Sequence, residues 1–238
     1  MLKEVYHMQR MFNNKVIGFD ILAIEKEEER IKWFRNYLTA YDQELKELLE
    51  SLDIRRVAGC GKAQAGSLDL RNIKVEVVDM LHFLLSMFQV IGEKEVSSER
   101  LGGRPADLNA YFDALRSDFM KANGEELAGR SEEQINRMMV LVAHENLVSL
   151  GKLLDCIAWK WWARQQVKWD EVKSLLYDKI FPQWCMMAIA SGMSADDTEE
   201  LYFKKNRLNF ERQQKGYKEG TYNKVDEEGR EDNVKLFK

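Results

Sequence analysis

Acidic residues with the spacing of metal ligands occur in an apolar stretch of this chain, residues 73–88. Glu76 and Asp79 lie three residues apart, so that a helix places both carboxylates on one face, and His82 continues the same row. An ionised carboxylate is costly to bury unless it is paired, hydrogen-bonded or bound to a metal. Because the neighbours of this pair are almost all apolar, the pattern indicates a buried polar site.

A second acidic pair, Glu44 and Glu47, occurs upstream at the same spacing. Such a pair is common on surface helices and carries little information alone. Together with Glu76 and Asp79 it gives four carboxylates on two helices, an oxygen ligand set suited to one or two Mg²⁺ ions. The alternative is a buried salt bridge from Glu76 or Asp79 to a Lys or Arg elsewhere in the chain.

Two further polar patterns could bind the rest of a phosphorylated ligand. Gln9 and Asn13 lie one helical turn apart and could read the edge of a base, although solvated surface amides are the more common case. Lys205, Asn209 and Arg212 share a helix face in a basic segment near the C-terminus. A basic cluster beside an acidic metal site suits a polyphosphate, whereas a solvated basic face is the alternative.

The elements that must position these residues are all helical. Apolar periodicity predicts helices over about 3–14, 26–52, 73–92, 105–122, 131–162, 169–192 and 194–216, with a kink at Pro182. The glycine-rich stretch 55–72 is expected to connect the two acidic helices. Segments 150–156 and 172–181 echo those helices without their carboxylates. The prediction is an all-α bundle around a four-helix metal-binding core, with a degenerate internal duplication of a helical hairpin.

Composition restricts the class of protein. A chain of 238 residues suffices for one sizeable domain, and a net charge of −4 argues against a general nucleic-acid-binding protein. No stretch is apolar enough to span a membrane, and the N-terminus has no apolar targeting region. Three cysteines without C-x-x-C spacing suggest reduced thiols. We therefore expect a cytoplasmic protein without membrane or nucleic-acid partners.

Taken together, these segments resemble the dimeric, all-α dUTPases, a branch of the helical nucleoside-triphosphate pyrophosphohydrolases. The blocks that carry the resemblance are Gln9-Arg-Met-Phe-Asn13, Glu44-Leu-Lys-Glu47-Leu-Leu-Glu50-Ser51, Glu76-Val-Val-Asp79-Met-Leu-His82-Phe83, Lys205-Asn206-Arg-Leu-Asn209-Phe-Glu-Arg212, Gly216-Tyr217-Lys218 and Glu231-Asp232-Asn233. They occur in the order of the family and span nearly the whole chain. The resemblance implies one all-helical domain over 1–238, with a mobile basic tail from about 216.

The resemblance also implies a role for each matching residue. Glu44, Glu47, Glu76 and Asp79 would hold Mg²⁺, and Glu47 would also activate water. The residues implied to bind substrate are Gln9 and Asn13 at the uracil, Asn206 near the deoxyribose, His82, the phosphate-binding Lys205, Asn209, Arg212, Tyr217 and Lys218, and the tail residues Asp232 and Asn233, which would close over the site.

The expected function is Mg²⁺-dependent hydrolysis of dUTP, and also of dUDP, to dUMP. The alternatives are a pyrophosphohydrolase for dCTP or another nucleotide, and a non-catalytic nucleotide-binding helical protein. A homodimer is expected, because apolar helices with six tryptophans leave more apolar surface than one thin bundle can bury. One departure from the family is the absence of a Trp-Lys-x-Trp block after the first acidic helix, where Arg55, Arg56 or Lys62 could contribute to the site instead.

Overall fold

The computed structural model describes residues 2–54, 68–97, 99–101, 107–123, 130–160, 162–163, 166–225, 229 and 231–237. The helices are α1 (Leu2–Ile17), α2 (Glu27–Glu50), α3 (Leu70–Val90), α4 (Leu108–Asn123), α5 (Glu132–Cys156), α6 (Trp169–Leu175), α7 (Phe181–Ala190) and α8 (Ala195–Gln214). Short 3₁₀ segments lie at Ile21–Ala23 and Asp232–Phe237, and these described residues contain no β-strand. The all-α prediction is therefore confirmed.

Local sequence signals set where several helices begin. Ser131 and Ser194 each accept a hydrogen bond from the backbone three residues on, and Gln134 and Asp197 reciprocate, which completes two capping boxes. Asp69 caps α3 by accepting from the first backbone N–H groups of that helix. These caps define the start of α3, α5 and α8. They were readable from sequence because each depends only on residues within one turn.

Two helices differ from the sequence-based expectation. The helix that begins after Ser131 ends at Cys156, well before Trp162, and the backbone N–H of Lys168 then donates to the Cys156 carbonyl at 2.9 Å. A π-helical turn, Leu176–Ile180, joins α6 to α7 just ahead of Pro182. A proline lacks the N–H of a regular turn and its ring needs space, so the wider turn accommodates it.

Helix α3 forms the centre of the molecule. It is buried on nearly every face and packs most extensively on α2, with further contacts to α1, α7 and α8. The fully buried Trp184 of α7 donates its indole N–H to the Val77 carbonyl at 2.8 Å, which satisfies the polar atom of the largest core side chain. Because α3 is enclosed in this way, its polar side chains Glu76, His82, Ser86 and Gln89 are buried inside the protein.

Segments 150–156 and 172–181 lie in α5 and in α6 with the following π-helical turn, and these elements pack on one another, as α2 packs on α3. The duplication that would relate them stays a prediction, as does the metal-binding character of the core. Residues Arg55, Arg56 and Lys62, as well as most of the predicted connection, lie outside the described residues. No helix among those described has the length and apolar character needed to cross a lipid bilayer.

Candidate active site

Helices α1, α2, α3 and α8, together with the C-terminal tail, enclose a cavity of about 720 Å³. The predicted site residues that line it are Gln9, Asn13, Glu44, Glu47, Glu76, Asp79, His82, Lys205, Asn209, Arg212, Tyr217 and Asn233. Their convergence results from the packing of α1, α2 and α8 around α3. Residues that lie far apart in the sequence thus share one cavity.

Three carboxylates come together where α2 packs on α3. One carboxylate oxygen each from Glu44, Glu47 and Glu76 lies within 4.8 Å of the others. A hydrogen bond of 3.0 Å from the Asn72 side chain to the Ser51 hydroxyl links the end of α2 to the start of α3. In the described part of the chain, no basic side chain forms a salt bridge with any of the three carboxylates, although the charge of Lys205 acts on Glu76. Three oxygen ligands at this separation fit a hard divalent cation.

Burial and mutual repulsion change the protonation of this cluster. Burial first, and then the charges of neighbouring carboxylates including Asp79, raise the pKa of Glu44 well above its ordinary value. The pKa of Glu76 is raised for the same reasons. Glu47 is the most exposed of the three side chains and lines the cavity. Without a cation the carboxyls of Glu44 and Glu76 therefore retain their protons more readily, and a bound cation would favour the ionised form of the cluster.

Asp79 takes a different partner from the other predicted metal ligands. Its carboxylate lies 2.7 Å from the Lys205 ammonium, and the two side chains are only 14% and 3% exposed. Asp79 therefore forms the buried salt bridge that was the alternative to a metal site, whereas Glu44, Glu47 and Glu76 form the cluster. That all four carboxylates bind Mg²⁺ stays a prediction.

Gln9 and Asn13 are buried at one end of the cavity, with 2% and 3% of their surface exposed. They are therefore not solvated surface amides. The Tyr202 hydroxyl donates to the Gln9 side-chain oxygen at 2.7 Å, and the Asn13 amide donates to Ser86 and Gln89 at 2.9 Å each. The amides that sequence spacing placed on one face of α1 are thus part of a buried polar network.

His82 and Asn206 contribute two buried acceptors beside Tyr202. The His82 Nδ1 lies 2.9 Å from the Val78 carbonyl, and because a carbonyl only accepts, Nδ1 carries the proton. Burial lowers the pKa of His82 to about 4, so the ring is neutral near pH 7. Neither His82 Nε2 nor Asn206 Oδ1 has a hydrogen-bond partner among the described residues. Because His82 lines the cavity, its Nε2 can accept a hydrogen bond from a ligand.

The tail occupies the basic side of the cavity. Arg212 makes a two-pronged ion pair with Asp232, at 2.5 and 3.2 Å. Burial alone would lower the pKa of Arg212, but the hydrogen bonds and charge of Asp232 raise it above its ordinary value. The Asn233 side-chain oxygen accepts from both Lys205 and Arg212, at 2.9 and 3.0 Å. The tail thus engages Lys205 and Arg212, two of the three cations that the resemblance assigns to phosphate binding.

Three predicted site residues do not line the cavity. Asn206 is fully buried and its amide faces the Tyr202 hydroxyl at 3.4 Å, while Asp232 faces Arg212. Lys218 is exposed and donates to the Val16 carbonyl at 3.3 Å. The tail leaves α8 through Gly216, whose positive φ of 88° and contact with Thr221 leave no room for a side chain. This turn carries Lys218 toward the end of α1.

The sequence did not predict two sets of residues, one that lines the cavity and one that contacts the buried amides Gln9 and Asn13. Trp33 and Tyr37, whose rings stack at 6.0 Å, line the cavity from α2. They precede Glu44 by eleven and seven residues, a helical spacing that could have indicated a shared face. Ser86 and Gln89 are buried polar residues on α3, four and seven residues after His82. Their position on an otherwise apolar helix was a readable sign of a polar network.

Comparison with known proteins agrees with this arrangement. A family model described as dUTPase matches residues 1–143 and 169–217. The match includes the helices that line the cavity, whereas residues 144–168 and the tail beyond 217 lie outside it. A search of curated proteins gave no match. Since the family model covers well over half of the sequence, this chain belongs to the all-α dUTPase family.

Proposed function

We propose that this protein hydrolyses dUTP to dUMP and pyrophosphate with Mg²⁺ as its cofactor, and that it also accepts dUDP. The observation that carries the proposal is a single cavity with three kinds of group. It has the clustered carboxylates of Glu44, Glu47 and Glu76, the cations of Lys205 and Arg212, and a buried amide pair. These groups suit, respectively, a metal ion, a polyphosphate and a base.

Glu44, Glu47 and Glu76 would hold the metal, and Asp79 would join them once Lys205 turns to a phosphate. Bound Mg²⁺ polarises phosphoryl oxygens and lowers the pKa of a bound water. Glu47 is the best placed base, because it is the most exposed of the three carboxylates and lies in the cavity. It would take the proton from the water that attacks phosphorus, while the bond between phosphorus and the leaving phosphate oxygen breaks.

Lys205 and Arg212 would offset the charge that develops on the phosphates. Both are engaged by the tail, so substrate phosphates would replace Asp232 and Asn233 as their partners. The neutral His82 Nε2 would accept a hydrogen bond from the sugar hydroxyl or the base. The Trp33 and Tyr37 rings supply an aromatic wall without the missing Trp-Lys-x-Trp block.

We also infer a homodimer that forms through α5. Leu141, Leu147, Val148 and Leu154 are exposed on one side of this helix, at helical spacings. Gly151 lies among them, and glycine weakens a helix. A side chain at this position would meet no described atom of the chain, so packing within the described residues does not require a glycine here. An apolar face with a glycine at its centre suits close packing against a second copy.

A nucleotide panel assayed for pyrophosphate release with Mg²⁺ tests the proposed function. We expect dUTP to be the preferred substrate, dUDP to release phosphate, and activity to disappear with a chelator or in Glu47→Gln. A preference for dCTP or another nucleotide would move the assignment to that substrate. Nucleotide binding without any turnover would mean that the protein is a non-catalytic binding protein.

A further inference from the structure

The orientation of the buried amides can be worked out from main-chain atoms. An amide side chain can point either its oxygen or its nitrogen at a neighbour, and only the hydrogen-bond partners decide which. A backbone carbonyl, in contrast, always accepts. Two backbone carbonyls, those of His82 and Tyr6, contact the network of Gln9 and Asn13 through Ser86 and Gln89. Because these two carbonyls can only accept, they fix the direction of the other hydrogen bonds in the network.

Ser86 acts as an acceptor toward both amides. Its hydroxyl donates to the His82 carbonyl at 2.7 Å, which uses its single proton. The oxygen is then left with only lone pairs for its other neighbours. It lies 3.1 Å from the Gln9 nitrogen and 2.9 Å from the Asn13 nitrogen. Both amides must therefore direct an N–H at Ser86.

Gln89 likewise requires Asn13 to donate an N–H. Its nitrogen donates to the Tyr6 carbonyl at 3.1 Å, so its oxygen faces the opposite way and accepts from Asn13 at 2.9 Å. The second N–H of Gln9 donates to the Asn13 oxygen at 3.0 Å. All four N–H hydrogens of Gln9 and Asn13 are thus used within the protein, and each oxygen keeps one lone pair.

We propose that Ser86 and Gln89 are specificity-determining positioning residues, which hold Gln9 and Asn13 so that only acceptor oxygens are available to a base. This inference rests on the proposed function and identifies the residues that determine which base is bound. Uracil carries a hydrogen on N3, whereas cytosine carries a lone pair there. A fixed acceptor facing N3 binds uracil and repels cytosine.

Without the two residues, the amides would be free to turn and satisfy either base. Buried polar groups that meet the wrong partner cost enough to give a preference of at least about 100-fold for uracil over cytosine in the native protein. Ser86→Ala removes the acceptor shared by both amides. Gln89→Met keeps a similar shape but removes the link from Asn13 to the Tyr6 carbonyl.

The experiment measures binding of dUMP and dCMP by calorimetry and the ratio of kcat/KM for dUTP and dCTP. We expect each single variant to lower the uracil preference by about tenfold, and the double variant to bring it within a few-fold of unity. Should the double variant fail to fold, either single variant decides the matter, since Asn13 depends on both residues.

The second half of the chain offers matched controls. Ser149 is buried and donates to the Glu145 carbonyl at 3.1 Å, like Ser86, but lies on α5 away from the cavity. Gln183 is buried and accepts from Asn146 at 3.0 Å, like Gln89. Ser149→Ala and Gln183→Met should cost similar stability and leave the uracil preference unchanged.

The outcomes separate this inference from the proposed function. A wild-type protein that binds dUMP over dCMP but releases no pyrophosphate, with a preference that collapses in the variants, supports the inference and refutes the hydrolase. Equal turnover of dUTP and dCTP by the wild-type protein refutes the inference and leaves a broader hydrolase. Loss of both substrates in equal proportion in the variants would make Ser86 and Gln89 merely structural and would overturn the inference.

Discussion

At the level of single residues, the chemistry of the cavity is dominated by carboxylates that form no salt bridge with any basic residue in the described ranges. Glu76 lies in the centre of α3 with only 6% of its surface exposed, and the groups nearest to it include Glu44 and Glu47. Such an arrangement is unfavourable in the metal-free protein, because like charges repel and burial disfavours the ionised form. A divalent cation would convert it into a stabilising site.

Glu76→Gln tests this view, since it keeps the size of the side chain and removes one charge. We expect the metal-free variant to be as stable as the native protein or slightly more stable, and to hydrolyse no dUTP. Saturating Mg²⁺ should raise the Tm of the native protein, since a ligand at about 100 times its Kd adds roughly 2.7 kcal/mol. The variant should show no such shift in thermal melts with Mg²⁺ and with a chelator.

Glu50→Gln is the control for that experiment. Glu50 lines the same cavity and is exposed, but it lies outside the cluster of three carboxylates, so its variant should keep the Mg²⁺ shift. If Glu76 instead formed a buried salt bridge, Glu76→Gln would destabilise the protein by about 3–5 kcal/mol with or without metal. That result would exclude a metal site at Glu76.

Most of the acidic residues of the cavity could be predicted from the sequence, because helical spacing depends only on neighbouring residues. The placement of Glu76, Asp79 and His82 on one face follows from their three-residue intervals. The pairing of Asp79 with Lys205 did not follow, because it depends on how α8 packs against α3. Whether a carboxylate meets a lysine or another carboxylate is decided by tertiary contacts, for which spacing carries no information.

At the level of elements, the tail is held to α8 by one buried ion pair. Asp232 accepts from Arg212 and also from the Tyr222 hydroxyl at 2.6 Å. Burial acts to raise the pKa of Asp232, but these hydrogen bonds and the guanidinium charge outweigh it and lower the pKa below its ordinary value. The ionised form of Asp232 therefore stabilises the folded tail.

Asp232→Asn should reveal this contribution through its pH dependence. A carboxyl with a depressed folded pKa contributes its full stability above its unfolded pKa, about 3.9, and loses it as the pH falls through the folded value. We expect the native protein to melt at a higher temperature than the variant at pH 7. The difference should shrink as the pH falls below about 4.

Asp113→Asn serves as the matched control in those melts. Asp113 pairs with Arg116 at 3.3 Å, but its side chain is 74% exposed, so solvent screens the pair. Its removal should change Tm little at any pH. A gap between the native protein and Asp232→Asn that stayed constant from pH 7 to pH 3 would show that the Asp232 charge contributes nothing to folding.

The ends of the helices could likewise be predicted only where they depend on residues nearby in the sequence. The capping boxes at Ser131 and Ser194 could be predicted because both partners lie within one turn. The end of α5 at Cys156 could not, because the carbonyl of Cys156 is capped by the backbone N–H of Lys168, a partner far along the chain. The π-helical turn before Pro182 likewise depends on packing around the proline.

At the level of the whole molecule, the all-α class followed from composition and periodicity, but the pairing of helices did not. One consequence of that pairing is the surface it leaves uncovered. Helix α5 buries one side against α2 and α7 and presents Leu147, Gly151 and Leu154 on another. These residues also line a groove of about 430 Å³ between α5 and α2, which could receive a helix of a second copy.

A charge placed in this groove tests the proposed dimer. We expect the native protein to sediment as a dimer at micromolar concentration, and its Tm to rise with protein concentration, as mass action requires. The double variant L147E/L154E should sediment as a monomer with a Tm independent of concentration, because two buried, unpaired carboxylates would oppose association. Met120→Glu is the control, because Met120 is 42% exposed, comparable to Leu154 at 39%, but lies on α4. A native protein that sediments as a monomer, or a dimer that survives L147E/L154E, would show that α5 is not the interface.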